Sequence, residues 1–495
     1  MNFITRRKSI DTLAEGHARL KPTLSWPHLI ALGVGAIVGT GIFVLTGKGA
    51  GLAGPAVILS FALCGVICAC AALCYAEMAT MMPVAGSAYT YSYAVLGELL
   101  AWIIGWSLIL EYTVAAAAVA VGWSSHVQAF LSANGWAIPD ILSHGALACS
   151  HGLPLPAALG HNLFACGAID LPAVFIGALI TLLLVVGTRE SATVNVVLVA
   201  IKIAALVLFV ALASGAFNIG NFHPFAPYGY GAHLDADGTK RGVLAAAGLV
   251  FFAFYGFDAV STAAEETKRP ARDLTIGIIG SMILCTLIYI AVAAAALGAA
   301  PFTDFAGTGA PLVHVLELLQ HPLAARLVAA AAIVALPTVI LVLMYGQSRI
   351  WFVMARDGLL PERLAALSKS RGTPVLMTFV AGFFVLAIAA TLPLDEIALL
   401  ANAGTLAAFI AVALSLIVLR LREPGRARVF RVPLAFVVAP ACIAGCVYLF
   451  ATGLQSTTQW WFLLWNAAGL IFYFLYGARA SRLARQSAAQ SDQVR

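Results

Sequence analysis

The sequence predicts an all-α integral membrane fold: twelve transmembrane helices, arranged as two inverted five-helix repeats followed by two more helices. Three observations lead to this reading. The 495 residues are 62% hydrophobic and 10% charged, whereas ordinary soluble domains carry roughly 25% charged residues. The apolar residues gather in windows of about 20, the length that crosses a hydrocarbon core of roughly 30 Å. Two of these windows are broken at their centres, and they are matching members when the first ten windows are divided into fives.

The windows lie near 27–48, 55–82, 99–130, 171–187, 191–215, 242–265, 273–299, 323–350, 374–393, 396–419, 432–452 and 459–478. Segment 3 is long enough to tilt or protrude. Residues 1–26 are polar and basic, with Arg6, Arg7, Lys8, Arg19 and Lys21, and read as a cytoplasmic tail rather than a signal peptide. The first repeat spans 27–215, the inverted second repeat 242–419, the last two helices 432–478 and a basic tail 479–495.

Orientation follows from lysine and arginine placement. With the N-terminus inside, the inner segments hold the tail residues, Arg189, Lys268, Arg269, Arg272, Arg349, Arg356, Arg363, Lys369 and Arg371. They also hold Arg420, Arg422, Arg426, Arg428, Arg431, Arg479, Arg482, Arg485 and Arg495. The outer loops hold only Lys240 and Arg241, so both termini are expected in the cytoplasm. The net charge of +6 is thus explained by the bilayer, with no need for a nucleic acid partner.

Segment 1 is interrupted by Gly39-Thr40-Gly41 and segment 6 at Phe254-Tyr255-Gly256-Phe257-Asp258. A helix in lipid must satisfy its backbone internally, so a break survives only where protein or a cavity surrounds it. At 1.5 Å per residue, Gly39 lies roughly 18 Å and Gly256 roughly 21 Å into their segments, from opposite faces; Glu111 and Lys202 lie roughly 17 Å deep. Because five is odd, the second group of five enters upside down relative to the first. Paired broken helices in such repeats are the best sequence pointer to a secondary transporter's binding site.

The break in segment 1 frees backbone donors at the start of an outer half-helix, which favours an anion such as a carboxylate. Gly39 and Gly41 permit close approach, the Thr40 hydroxyl adds a donor, and the carbonyls ending the inner half-helix suit an ammonium. A zwitterionic α-amino acid matches both ends. The plainer alternative is that Gly-x-Gly forms a small-residue packing face. The candidate substrate residues are Ile37, Gly39, Thr40, Gly41 and Ile42, with Phe252, Ala253, Tyr255, Gly256 and Asp258 from segment 6. Phe252 is the candidate gate. Asp258 either receives the substrate ammonium or caps the inner half-helix.

Lys202 is the candidate proton-coupling residue, since an amine whose surroundings change between two states can load and release a proton. The alternatives are a permanently charged pin between helices, or a snorkelling side chain. Glu111 is either the partner of Lys202 or a polar link to another helix, and Glu77 is either solvated or paired with a basic loop. Trp460, Trp461, Trp465, Tyr473 and Tyr476 suit an interfacial belt or a dimer surface.

Other classes find little support. There is no phosphate-binding Gly-x-x-x-x-Gly-Lys-Ser/Thr run to drive a pump and no His-Glu-x-x-His pair for a metalloenzyme. His144, His151, His161, Cys149 and Cys166 match no compact metal motif. Cys149 and Cys166 are candidates for a disulfide; the other seven cysteines fall in apolar segments.

Residues 33–43, residues 251–266 and the inner-loop run Ala355-Arg356-Asp357-Gly358-Leu359-Leu360-Pro361 resemble the amino acid–polyamine–organocation transporters, in particular bacterial relatives of the cationic amino acid transporter branch. The resemblance implies the five-plus-five fold shared with sodium-coupled leucine transporters, a bacterial inner-membrane location, and amino acids bound between the broken helices. Thr40 and Gly41 would hold the carboxylate, Phe252 would gate, and Lys202 matches the lysine that replaces a sodium ion in proton-coupled members. Animal members of this branch resemble a fourteen-span layout, whereas twelve spans are read here. Segment 8 is apolar at Ala335, Leu336, Val339, Leu341 and Val342, which disfavours a guanidinium. The expectation is proton-coupled import of small neutral or varied L-amino acids, with no cofactor beyond the coupling proton and possibilities of a homodimer or a small accessory subunit. Amino acid exchange, cationic amino acid uptake and a non-transporting sensor are the alternatives.

Overall fold

The computed structural model describes residues 6–10, 24–83, 86–147, 167–186, 192–236, 238–264, 267–365 and 375–486. Cys149, Cys166, His151 and His161 lie outside the described residues, and with them the expected disulfide.

Helix covers every apolar segment. Segment 1 forms α1 (Trp26–Ile37), the single turn α2 (Thr40–Phe43) and α3 (Leu45–Ala53). Next come α4 (Val57–Met81), the short α5 (Ser87–Val95) and α6 (Glu98–Ser132). Segments 4 and 5 are α7 (Leu171–Val186) and α8 (Ala192–Gly215). Segment 6 forms α9 (Val243–Val250), a 3-10 turn (Phe251–Phe254) and α10 (Ala259–Thr262). Segments 7–10 are α11 (Pro270–Ala299), α12 (Pro322–Arg356), α13 (Val375–Thr391) and α14 (Leu394–Arg422). The last two are α15 (Ala435–Tyr448) and α16 (Ser456–Phe472), each continued by one π-helical turn.

Among the described residues, nine helical stretches are long and apolar enough to cross a membrane; Trp26–Ile37, Leu171–Val186 and Val375–Thr391 are apolar but shorter. At 35 residues, α6 is about 52 Å long and exceeds the hydrocarbon core. The only strands among the described residues, β1 (His233–Leu234) and β2 (Lys240–Arg241), pair antiparallel in a loop.

Packing sorts the helices into two groups. α11 runs along α4 and α1, and α9 lies against α3 and α4. α6 runs along α12 and α14, while α7 packs on α13. Within α12, Pro337 has no N–H and leaves the Ile333 carbonyl without its helical donor. The Trp123 indole of α6 donates to that carbonyl at 2.8 Å, so the proline leaves no buried acceptor unmet.

Two of the aromatics read as belt or dimer surface lie elsewhere. Trp465 stacks on Trp106 at 4.9 Å, and each indole donates to the other's backbone carbonyl at 2.9 Å. Tyr473 is fully buried and donates to Glu98. Trp460 is 73% exposed, so the outward stripe is narrower than the sequence suggested.

Three buried carboxylates are paired with basic groups. Glu98 accepts from Tyr93, Tyr473 and Ser481 at 2.8–3.0 Å, with Arg6 at 3.5 Å. Lys8 pairs with Asp357 at 2.5 Å, and Tyr89 donates to the same carboxylate. Glu77 is paired with the basic loop rather than solvated. It meets Arg420 through Nε (3.0 Å) and Nη2 (2.5 Å), has Arg428 Nε at 3.1 Å, and accepts from the Val432 N–H at 2.7 Å.

Glu77 is fully buried, so Glu77→Ala leaves two guanidinium groups facing each other without an anion. The expected loss is about 3–5 kcal/mol, read as a lowered thermal unfolding midpoint in detergent. An unchanged midpoint would show the cluster to be dispensable.

Candidate functional site

The break in segment 1 starts one residue earlier than the glycine pattern suggested. Val38 leaves helical geometry, Gly39 is extended, and Thr40 already belongs to α2. In segment 6 the α-helix gives way at Phe251, passes through 3-10 geometry, turns at Gly256 and resumes at Ala259.

The two breaks lie against each other. A Cβ on Gly41 would fall 2.2 Å from Ala253 Cα, and one on Gly256 would fall 2.9 Å from the Ala36 carbonyl carbon. Gly256 also has φ of +111°, a conformation that side chains other than glycine rarely adopt. Each glycine therefore permits a backbone-to-backbone contact that any larger residue would wedge apart.

Around this contact the expected residues converge. Thr40 and Lys202 are 0% exposed, Glu111 1%, Ile37 2%, Asp258 3%, and Phe252 and Tyr255 4%. Protein encloses the site on all sides in this conformation. Phe252 stacks on Tyr255 with centroids 6.1 Å apart and rings within 6° of parallel, and Tyr112 meets Tyr255 edge-on. The Thr40 side chain rests on Gly122 of α6. An open apolar groove between α8 and α12, lined by residues including Ile201, Leu208 and Val334, is on the outer surface.

Three buried polar atoms at this centre have no hydrogen-bond partner: Thr40 Oγ1, Tyr255 Oη and Glu111 Oε2. Such atoms cost free energy unless a ligand or another group meets them. Thr40, Gly41 and Ile42 begin a helix, so their N–H groups have no intrahelical acceptor. Val339 of α12 is the side chain facing Gly39, and Ala335, Leu336 and Val339 are all buried.

Lys202 of α8 donates to the Gly35 carbonyl of α1 at 2.8 Å and to Thr338 Oγ1 of α12 at 3.2 Å. One ammonium thus bridges the two packing groups. Glu111 accepts from Thr405 of α14 at 2.7 Å, which makes it a link between helices. The Asp258 carboxylate accepts from Tyr112 at 2.8 Å and also meets the backbone N–H of Ala259, the first residue of α10. Thr338, Thr405, Tyr112 and Tyr289 of α11, which lies at both breaks, were not singled out in the sequence. A lone hydroxyl in an apolar helix carries no local signal of its partner.

Gly41→Ala places a methyl group inside the Ala253 backbone, and the breaks must separate. Overpacking of this kind costs about 1–3 kcal/mol. Loss of substrate-induced thermal stabilisation in an otherwise folded variant is the expected outcome. Normal stabilisation would mean that the contact is not needed for binding.

Comparison with known proteins gives the family. The amino acid permease family profile matches residues 24–475. A branched-chain amino acid permease of Bacillus subtilis (strain 168) is 43% identical over 483 residues, covering 97% of this chain and 99% of that protein. A methylthioribose transporter of the same organism is 40% identical over 489 residues, covering 98% and 100%. A vacuolar cationic amino acid transporter 4 of Arabidopsis thaliana is 32% identical over 433 residues, covering 86% and 68%. The chain is therefore a multi-pass membrane transporter rather than an enzyme, and it belongs to the amino acid permease family of the amino acid–polyamine–organocation superfamily.

Proposed function

We propose that this protein is a secondary active transporter that imports L-amino acids with protons by alternating access. The observation that carries the reading is the contact between two broken helices, with the unpartnered Thr40 hydroxyl and the first-turn amides of α2 beside the carbonyls that end α1. The donors receive the substrate carboxylate and the carbonyls its ammonium. Phe252 covers the site, and Asp258, held by Tyr112, lies below it. The wall formed by Ala335, Leu336 and Val339 supports a neutral, apolar side chain. The name of the Bacillus subtilis branched-chain amino acid permease points the same way, while the plant relatives keep cationic substrates as a competing possibility.

The topology that goes with this reading is twelve spans with both termini inside a bacterial inner membrane, residues 27–215 and 242–419 forming inverted repeats. α1, α4, α9 and α11 then rock as a bundle against α6, α7, α12 and α13. Lys202 holds the two groups together when charged. Loss of its proton weakens the bonds to Gly35 and Thr338 and couples proton release to movement. Association into dimers, or with a small membrane subunit, is compatible with this mechanism and not required by it.

The test is uptake of labelled alanine and leucine into empty proteoliposomes without sodium, with and without an inward proton gradient. Accumulation only with the gradient is expected. Uptake only into vesicles preloaded with amino acid would make the protein an exchanger. Competition by methylthioribose but by no amino acid would overturn the amino acid reading. Lys202→Ala abolishes gradient-driven accumulation and retains part of the exchange; a variant that concentrates substrate normally would remove Lys202 from coupling. Thr40→Ala raises KM about tenfold for every amino acid alike, because it touches the shared carboxylate. A loss confined to one side-chain class would contradict that role.

A further inference from the structure

The α1 break ends at the Ile37 carbonyl and the segment 6 break contains the Ala253 carbonyl. In an unbroken helix these would accept from residues 41 and 257. Here the hydroxyl oxygen of Tyr289, on α11, lies 2.8 Å from both carbonyl oxygens. Its ring is fixed against Phe61 and Phe254 with centroids 6.0 and 5.3 Å away, and the residue is fully buried. A phenol carries one proton, so Tyr289 donates to one carbonyl at a time or shares the proton between them. Each carbonyl oxygen has a second lone pair, and those lone pairs remain for another donor.

We infer that Tyr289 is a positioning residue that aims the Ile37 and Ala253 carbonyls as a paired acceptor for the substrate's α-ammonium group. The inference rests on the amino acid reading of the site and adds to it the group that sets the geometry of ammonium recognition. Two carbonyl dipoles brought to one hydroxyl are held at a fixed separation, each contributed by a different broken helix. An ammonium has three donors and can serve both carbonyls, whereas a ligand lacking it leaves the lone pairs unmet. Tyr289 thereby converts two helix breaks into one recognition element. It also ties α11 to both breaks, so the three move together.

The experiment compares inhibition of labelled leucine uptake by unlabelled leucine and by its des-amino analogue, 4-methylpentanoate, in wild type and in Tyr289→Phe. The substitution keeps the ring contacts and removes one oxygen. In wild type, leucine inhibits far better than the des-amino acid; if the two inhibit equally, the amino acid reading of the site itself fails. In Tyr289→Phe the discrimination narrows roughly tenfold, with monodisperse elution from a sizing column confirming the fold. Unchanged discrimination, whether or not both compounds inhibit more weakly, would overturn the inference and leave Tyr289 a packing residue. Should Tyr289→Phe not fold, Tyr289→p-aminophenylalanine carries the test, because its two N–H donors serve both carbonyls. Discrimination at or above the wild-type level is then expected, and loss of the preference for leucine over the des-amino acid would refute the role.

Discussion

A helix interrupted inside hydrocarbon must find partners for the backbone groups it releases, and the centre of this protein is organised by that demand. The interruptions at Val38-Gly39 and Phe251–Phe257 are solved together, by pressing each against the other through Gly41 and Gly256. Donors reach the released carbonyl ends from neighbouring helices: Lys202 at Gly35 and Tyr289 at Ile37 and Ala253. Pro337 in α12 follows the same logic, with Trp123 supplying the missing donor to Ile333. Each irregularity is answered by a side chain on another helix, so the irregular backbone and the tertiary packing are inseparable.

The two packing groups meet at this centre, and two polar side chains cross between them here. Lys202 does so by reaching α1 on one side and α12 on the other. Tyr112 does so from α6 to the Asp258 carboxylate just before α10. Glu111, by contrast, ties α6 to α14 through Thr405 and stays on one side. Lys202 and Tyr112 therefore bring a charge and a phenol to the place where the groups adjoin.

Much of this architecture is legible in the amino-acid order because burial in lipid is a local requirement. Each apolar run became a helix, and both breaks fall within a few residues of the glycines that mark them. Lys202 and Asp258 were found because a charge at mid-depth is conspicuous by itself. Tyr289, Thr338 and Thr405 were not, since a hydroxyl in an apolar helix gains its role only from what the next helix presents. Helical phase explains the misplaced aromatics: Trp465, Gly469 and Tyr473 recur every four residues and face α6, with Gly469 admitting Trp106. Trp460 and Trp461, one turn before this stripe, point outward.

Glu98 has a consequence for how the chain ends behave. Arg6 approaches this carboxylate from near the start of the chain and Ser481 from near its end, while Arg6 also donates to the Ala478 carbonyl. The two termini thus form one clasp around a buried anion and are not independent appendages. A reporter or affinity tag fused close to either end would tug on a fastening that the other end shares. A deletion that removes Arg6 or Ser481 should therefore be judged by its effect on the order of the other.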